Sequence, residues 1–216
     1  MDDYDREIGA MLPLLDMFYR ATLNLVRATG ITPTRWLDTG CGTGTFATLA
    51  RQAFPGVAFT LADPSPTMLQ ASQAKMADAE DVSFVSGGTG DLTFPDDSFD
   101  VVTAIQCHHY LDEAGRDLAA RNCHRMLRPG GVYVTFENIR PLTKQGTQVV
   151  LRMWQEFQTG AGRTTAQVAQ HISRFDTAYH PITIPQHLEL LHQVGFDVAE
   201  VLWASYMQAG FWAVKR

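Results

Sequence analysis

Between Arg35 and Glu137 short β-rich runs alternate with helix-patterned ones, and this alternation restricts the possible folds more than any other feature of the chain. The β-rich runs are RWLDT, VAFTLAD, VSFVSG, FDVVTAIQ and GGVYVTFE, with TFATLARQAF, SPTMLQASQAKMAD and EAGRDLAARNCHRML lying between members of the series. Strands separated by helices cannot close as tight hairpins. The chain must cross over instead, which builds βαβ units and a parallel sheet. Boundary signals agree. Ser65 before Pro66 is a capping residue followed by a proline whose missing N–H costs nothing in the first turn, and RPGG after Leu127 stops the helix that precedes it.

The flanks are patterned differently. Ile8, Met11, Leu12, Leu15, Phe18, Tyr19, Leu23 and Val26 follow helical spacing with an interruption at Pro13, so residues 1–30 are expected to be helical. From 139 to 185 the alternation stops, and two helices split by TGAGR are expected. PQHLELLHQVGF then reads as a helix ended by Gly195, and DVAEVLWASY with QAGFWAVKR as an antiparallel hairpin. A chain of 216 residues, 45% of them hydrophobic, can build one substantial core, so a single domain is expected.

Composition narrows the partners. The net charge is −6 and no lysine or arginine cluster appears, which disfavours nucleic acid. Cys41, Cys107 and Cys123 are odd in number and form no CxxC pair, which argues against a disulfide framework and against a zinc site. The acidic N-terminus is no export leader, and no apolar stretch approaches the roughly 20 residues of a membrane span, so a cytoplasmic protein without membrane contact is expected. Monomer and homodimer both stay open.

In open parallel sheets the loops at the carboxyl ends of the strands collect the chemistry. Here the first loop carries Asp38, Gly40, Gly42 and Gly44, the second Asp63, the third GGTGDLTF and the fourth IQCHHYL. The stretch from Gly42 to Ala47 fits GxGxxA, with Asp63 placed where a dinucleotide's ribose acid belongs. In that motif, however, the first glycine turns directly off the strand, whereas here the strand run ends at Asp38 and Gly40 makes the turn. A phosphate loop fails because no Lys-Ser/Thr pair follows the glycines.

The ordered series LDTGCGTG, ADPSPTML, GDLTFPDDSFDVV, CHHYL and HRMLRPGGVYV resembles the class I S-adenosylmethionine-dependent methyltransferases across residues 36 to 135. Within them the chain is similar to a small-molecule group that includes quinone C-methyltransferases and carboxy-S-adenosylmethionine synthases. The resemblance implies a Rossmann-like, seven-stranded, mostly parallel α/β sheet with helices on both faces, an antiparallel last strand and a helical lid insertion. It implies a helical lid at 1–30, a cofactor-binding core at 31–138, a helical insertion at 139–185 and a closing helix and hairpin at 186–216. The implied activity is methyl transfer from S-adenosyl-L-methionine to a small, anionic acceptor, leaving S-adenosyl-L-homocysteine. The alternatives are chemistry on the cofactor itself, or cofactor binding without turnover.

On that basis Gly40 and Gly42, with Cys41 and Gly44 beside them, are expected to cradle the amino-acid end of the cofactor together with Asp38. Asp63 is expected on the ribose hydroxyls, with Pro64 beside it, and Met68 and Leu92 on the faces of the adenine. Ile105 and Gln106 would offer carbonyls to the ammonium. Many relatives place an acid at Gly88, so the adenine contact here would shift to Asp91 or to the backbone of Thr89.

His108 and His109 are the catalytic candidates as general bases, since histidine titrates near neutrality. Adjacent histidines point apart, so no metal site is expected; structural packing of one or both is the plain alternative. The acceptor pocket is expected from Tyr4, Tyr19, Tyr110, Trp154, Tyr179 and His180, with Arg140 or Arg174 capturing the anion. Solvated charges and ordinary core packing are the bland readings of the same residues.

Overall fold

A computed structural model describes residues 2–216, with side chains from residue 4 onward. The expected helical lid therefore begins, as described, at residue 2; residue 1 lies outside.

The sheet contains β1 (Arg35–Thr39), β2 (Ala58–Asp63), β3 (Val82–Ser86), β4 (Phe99–Ile105), β5 (Leu127–Asn138), β6 (Val198–Ser205) and β7 (Gln208–Val214), in the order β3-β2-β1-β4-β5-β7-β6. All neighbouring pairs from β3 to β5 are parallel, and β7 enters antiparallel between β5 and β6. This is the expected Rossmann-like sheet with its last strand reversed. Strand order changes direction between β1 and β4, and the crevice at their carboxyl ends is where such sheets hold ligands.

Alternation along the strands supplies the two faces. Trp36, Phe59, Leu61 and Val101 pack under α2 (Leu15–Ala28), α3 (Thr45–Ala53) and α4 (Pro66–Lys75). Leu37, Val102, Ala104 and Tyr133 pack on the other face under α5 (Glu113–Met126) and α8 (Ile184–Gln193). Pro13 divides the N-terminal stretch as expected, leaving α1 (Asp2–Met11) separate from α2, with Leu14 at a φ of 60° in the break. The insertion forms α6 (Lys144–Gly160) and α7 (Thr165–Ile172).

Caps written in the sequence are made. Ser65 accepts from the Met68 N–H, and Thr164 with Gln167 and Thr183 with Gln186 form reciprocal capping boxes. One strand end moves by a residue, since β1 runs to Thr39 rather than stopping at Asp38. Leu12 of the α1–α2 break, Trp154 of α6 and Met207 share an apolar cluster that fixes the insertion over the N-terminal helices. Among the described residues no helix is long and apolar enough to cross a membrane.

Candidate active site

A cavity of about 430 Å³ opens at the carboxyl ends of β1, β2 and β4. One wall is α1. Its residues Tyr4, Asp5, Ile8 and Met11, with Leu12 just beyond, fall at helical spacing and share the face that looks into the cavity. His109, Tyr110, His171, Arg174 and Tyr179 line it as well.

The glycine loop forms the floor. Gly40 has a φ of +65°, and a Cβ there would lie 2.4 Å from the Cβ of Cys107, so the loop can cross the end of β4 only without a side chain. Gly42, at +54°, has nothing within 4 Å of its would-be Cβ, leaving a bare patch of backbone on the cavity wall. Gly44 is occupied differently. Its neighbours Ser72 and Met76 belong to α4 and the residue after it, so it serves close helix packing and does not line the cavity.

Two acids stand over this floor. Asp63 Oδ2 accepts from the Gly42 N–H at 2.9 Å and Oδ1 from the Ser65 N–H at 2.8 Å, which fixes the carboxylate yet leaves each oxygen a second lone pair. Asp38 is 2% exposed and takes one bond, from the Thr103 hydroxyl at 2.7 Å. Burial pushes its carboxyl up to about 7 against that bond, and the nearby Asp63 charge adds to the rise. A buried acid with so few donors suits a cationic ligand. Gln106 closes the same end of the floor with a φ of 60° and a side-chain Nε2 that is buried without a partner.

His109, 2% exposed, pairs through Nδ1 with Glu137 Oε2 at 3.0 Å. Glu137, one residue before the end of β5, also accepts from the N–H groups of His108 (3.3 Å) and His109 (2.8 Å) and from the Thr135 hydroxyl (2.7 Å). Burial opposes its ionisation, yet the bond and charge of His109, the charge of His108 and the Thr135 bond hold the carboxyl down at about 2. An ionised Glu137 at 3.0 Å favours the tautomer with the proton on His109 Nδ1 over the longer approach of the Asn138 N–H to the same nitrogen at 3.4 Å. Nε2 is thereby left as the basic nitrogen.

Several expected residues lie elsewhere. His108 faces away from the cavity, between the Thr89 hydroxyl (2.9 Å) and the Tyr133 hydroxyl (3.3 Å), and burial lowers its pKa. Gly88, Thr89, Asp91 and Leu92 do not line the cavity, and Asn122 of α5 holds their turn by donating to the carbonyls of Thr89 (2.6 Å) and Leu92 (2.9 Å). The Thr89 carbonyl is thus already engaged. Trp154 stands behind the wall, donating to the Met11 carbonyl at 2.6 Å and meeting His171 edge-on. Arg140 is paired with Asp176 and lies over Phe175, outside the cavity. His180 contributes backbone only, its N–H donating to the His109 carbonyl at 2.7 Å while its own carbonyl accepts from Arg116.

Asp38, Gly40, Cys41, Gly42, Asp63, Pro64, Met68, Ile105 and Gln106 are brought together, as are Tyr4, Tyr19, Tyr110, Arg174, Tyr179 and His109.

Residues 37–131, the stretch that contains the glycine loop, Asp63 and His109, match the family model described as a methyltransferase domain. Over that stretch the chain carries the pattern of a methyltransferase domain, in keeping with its resemblance to the class I S-adenosylmethionine-dependent methyltransferases. It is 28% identical to a demethylmenaquinone methyltransferase of Thermotoga maritima over 78% of this chain and 72% of that protein. It is 24% identical to a carboxy-S-adenosyl-L-methionine synthase of Trichodesmium erythraeum over 98% of this chain and 85% of that protein. The fold superposes with a TM-score of 0.65 on human N-acetylserotonin methyltransferase in complex with S-adenosylmethionine, at 16% identity, over 91% of this chain and 51% of that one. That solved neighbour holds S-adenosylmethionine, the cofactor that the resemblance implies here. The bare Gly42 backbone, the under-satisfied Asp38 and the orphaned Gln106 amide fit its amino-acid end.

Sequence reasoning missed Glu137, Asp5 and Asn138 of this site. Glu137 had a legible signal, since an acid ending an otherwise apolar strand beside the fourth loop has no place in a core without a partner.

Proposed function

We propose that this methyltransferase moves the cofactor's methyl group to a small acceptor that gives up a proton to His109, and that an anionic group of the acceptor is met by Arg174. The buried pair of His109 with Glu137, with His109 on the cavity wall, carries this reading.

When bound, S-adenosylmethionine supplies an electrophilic methyl group on a sulfonium. Asp63 receives the ribose hydroxyls on the lone pairs left after Gly42 and Ser65, and Asp38 balances the ammonium beside Gln106. Pro64 and Met68 offer apolar contact to the base. In-line transfer from a charged sulfonium gains much of its rate from positioning, so the protein's added contribution is to take the acceptor's proton at His109 Nε2. The charge on Glu137 stabilises the imidazolium that results, as a base-orienting acid does.

His109→Asn is expected to lower kcat by about 10²–10⁴ with any acceptor the wild type turns over, while S-adenosylhomocysteine binding is retained. A variant that keeps its rate, with its pH profile unmoved, would remove His109 as the base.

A second reading, chemistry on the cofactor itself, is favoured by the Trichodesmium relative's span over 98% of this chain, with Arg174 then holding a carboxylate. Mass analysis of the nucleoside that co-purifies separates the two. Three free cysteines, two of them buried, support a reducing cytoplasmic setting.

A further inference from the structure

The cavity is lined by three acids and one permanent cation. The acids are Asp5 of α1, Asp38 of β1 and Asp63 at the end of β2. Among the described residues lining it, Arg174 is the one permanent cation, and it packs on the same tyrosines as His109.

Other basic side chains nearby are engaged. Arg140 pairs with Asp176, Lys75 with Asp5 at 2.8 Å, and Arg116 donates to the carbonyls of Leu111 and His180. Arg174 has no carboxylate partner among the described residues. Its guanidinium lies 4.5 Å from the Tyr179 ring centre and 5.7 Å from that of Tyr110. Its carbonyl accepts from the N–H groups of Thr177, Ala178 and Tyr179, which fixes the turn that carries it. An arginine stacked on aromatic faces keeps its planar fork of donors for a ligand, and the group that fork matches is a carboxylate.

The surface between Arg174 and His109 is aromatic. His109 and Tyr110 have ring centres 4.5 Å apart, and Tyr179 meets both edge-on at 5.3 Å. His109 and Arg174 therefore pack on the same two tyrosines, and a ligand touching both spans little more than one ring. The volume sets the same limit. A cavity of about 430 Å³ must hold cofactor and acceptor together, and it lies near the lower end of the ~300–1,000 Å³ that single ligands occupy.

Resting on the methyl-transfer reading above, we propose that the acceptor is a hydroxyaryl carboxylate: one aromatic ring bearing a hydroxyl at His109 and a carboxylate at Arg174. An aryl hydroxyl, with a pKa near 10, is within reach of an imidazole base in a way an aliphatic alcohol is not. The aryl oxygen forms a bond to the methyl carbon, the sulfur–carbon bond breaks with its electron pair remaining on sulfur, and the hydroxyl proton passes to His109 Nε2. The products are the aryl methyl ether, S-adenosylhomocysteine and a proton that leaves His109 for water.

The test is calorimetric titration of protein saturated with S-adenosylhomocysteine, using the three hydroxybenzoate isomers and phenol, on wild type, Arg174→Gln and Arg174→Lys. At least one isomer is expected to bind about 10- to 100-fold more tightly than phenol, with that advantage lost in R174Q and partly kept in R174K. Phenol binding as tightly as every isomer, absence of binding by all three, or an isomer affinity unchanged in R174Q would each overturn the proposal. The preceding titration with S-adenosylhomocysteine is read separately: failure there removes the methyl-transfer reading, whereas success there with failure of the isomers removes the acceptor class alone.

Discussion

Asp38 offers a quantitative test of how the cofactor floor is built. Its carboxyl titrates near 7 in the folded protein against an ordinary value of 3.8. The folded state therefore binds more protons than the unfolded chain between about pH 4 and pH 7, so the stability linked to this group is fully present below about pH 4 and lost as pH rises through 7. About three units at 1.36 kcal/mol each amount to ~4 kcal/mol. Asp38→Asn keeps the shape and removes the titration. Urea unfolding of both proteins from pH 4.5 to 8 isolates the effect, because Glu137 and the buried histidines titrate alike in each. The wild type is expected to lose ~3–4 kcal/mol relative to D38N across this range, and saturating S-adenosylhomocysteine, whose ammonium charge offsets the carboxylate, should abolish most of the loss. A difference curve flat within ~0.5 kcal/mol, or one rising with pH, would refute the reasoning.

Two further outcomes follow from the site. At about 100-fold excess over Kd, S-adenosylhomocysteine should stabilise the wild type by ~2.7 kcal/mol, a rise of roughly 5–10 °C in melting temperature; Asp63→Ala should show no rise, and an undiminished one would remove the ribose assignment. Asp5 accepts from Thr43 (2.6 Å), Thr45 (3.0 Å) and Lys75 (2.8 Å), tying α1 to the glycine loop and to α4. Asp5→Asn should speed S-adenosylhomocysteine release about fivefold in stopped flow, as expected for a partly exposed network worth ~1 kcal/mol, and an unchanged off-rate would show that α1 does not gate the site.

The fold was legible because its signals are local. Alternating runs, Ser65 before Pro66, Pro13 and Gly195 each act within a few residues, and each appears where the pattern places it. The glycine loop was legible for a related reason: Gly40, Gly42 and Asp63 lie at strand ends whose positions the alternation already fixes. The rest depended on contacts distant in sequence. His108 and His109 are neighbours, and only Glu137 on the adjacent strand decides that His109 is oriented at the cavity while His108 is held beneath it. Arg140 and Arg174 look alike along the chain; Asp176 claims the first, whereas among the described residues no carboxylate pairs with the second, which packs on Tyr110 and Tyr179. The turn from Gly88 to Leu92 likewise depends on a distant residue, since Asn122 of α5 holds it through the carbonyls of Thr89 and Leu92.

The most direct test of the account is an experimental structure with S-adenosylhomocysteine bound. It should place the ribose hydroxyls on Asp63, the ammonium beside Asp38 and Gln106, and the sulfur facing His109 and Arg174. A nucleoside bound with its ribose away from Asp63, or with its sulfur turned from His109, would contradict it.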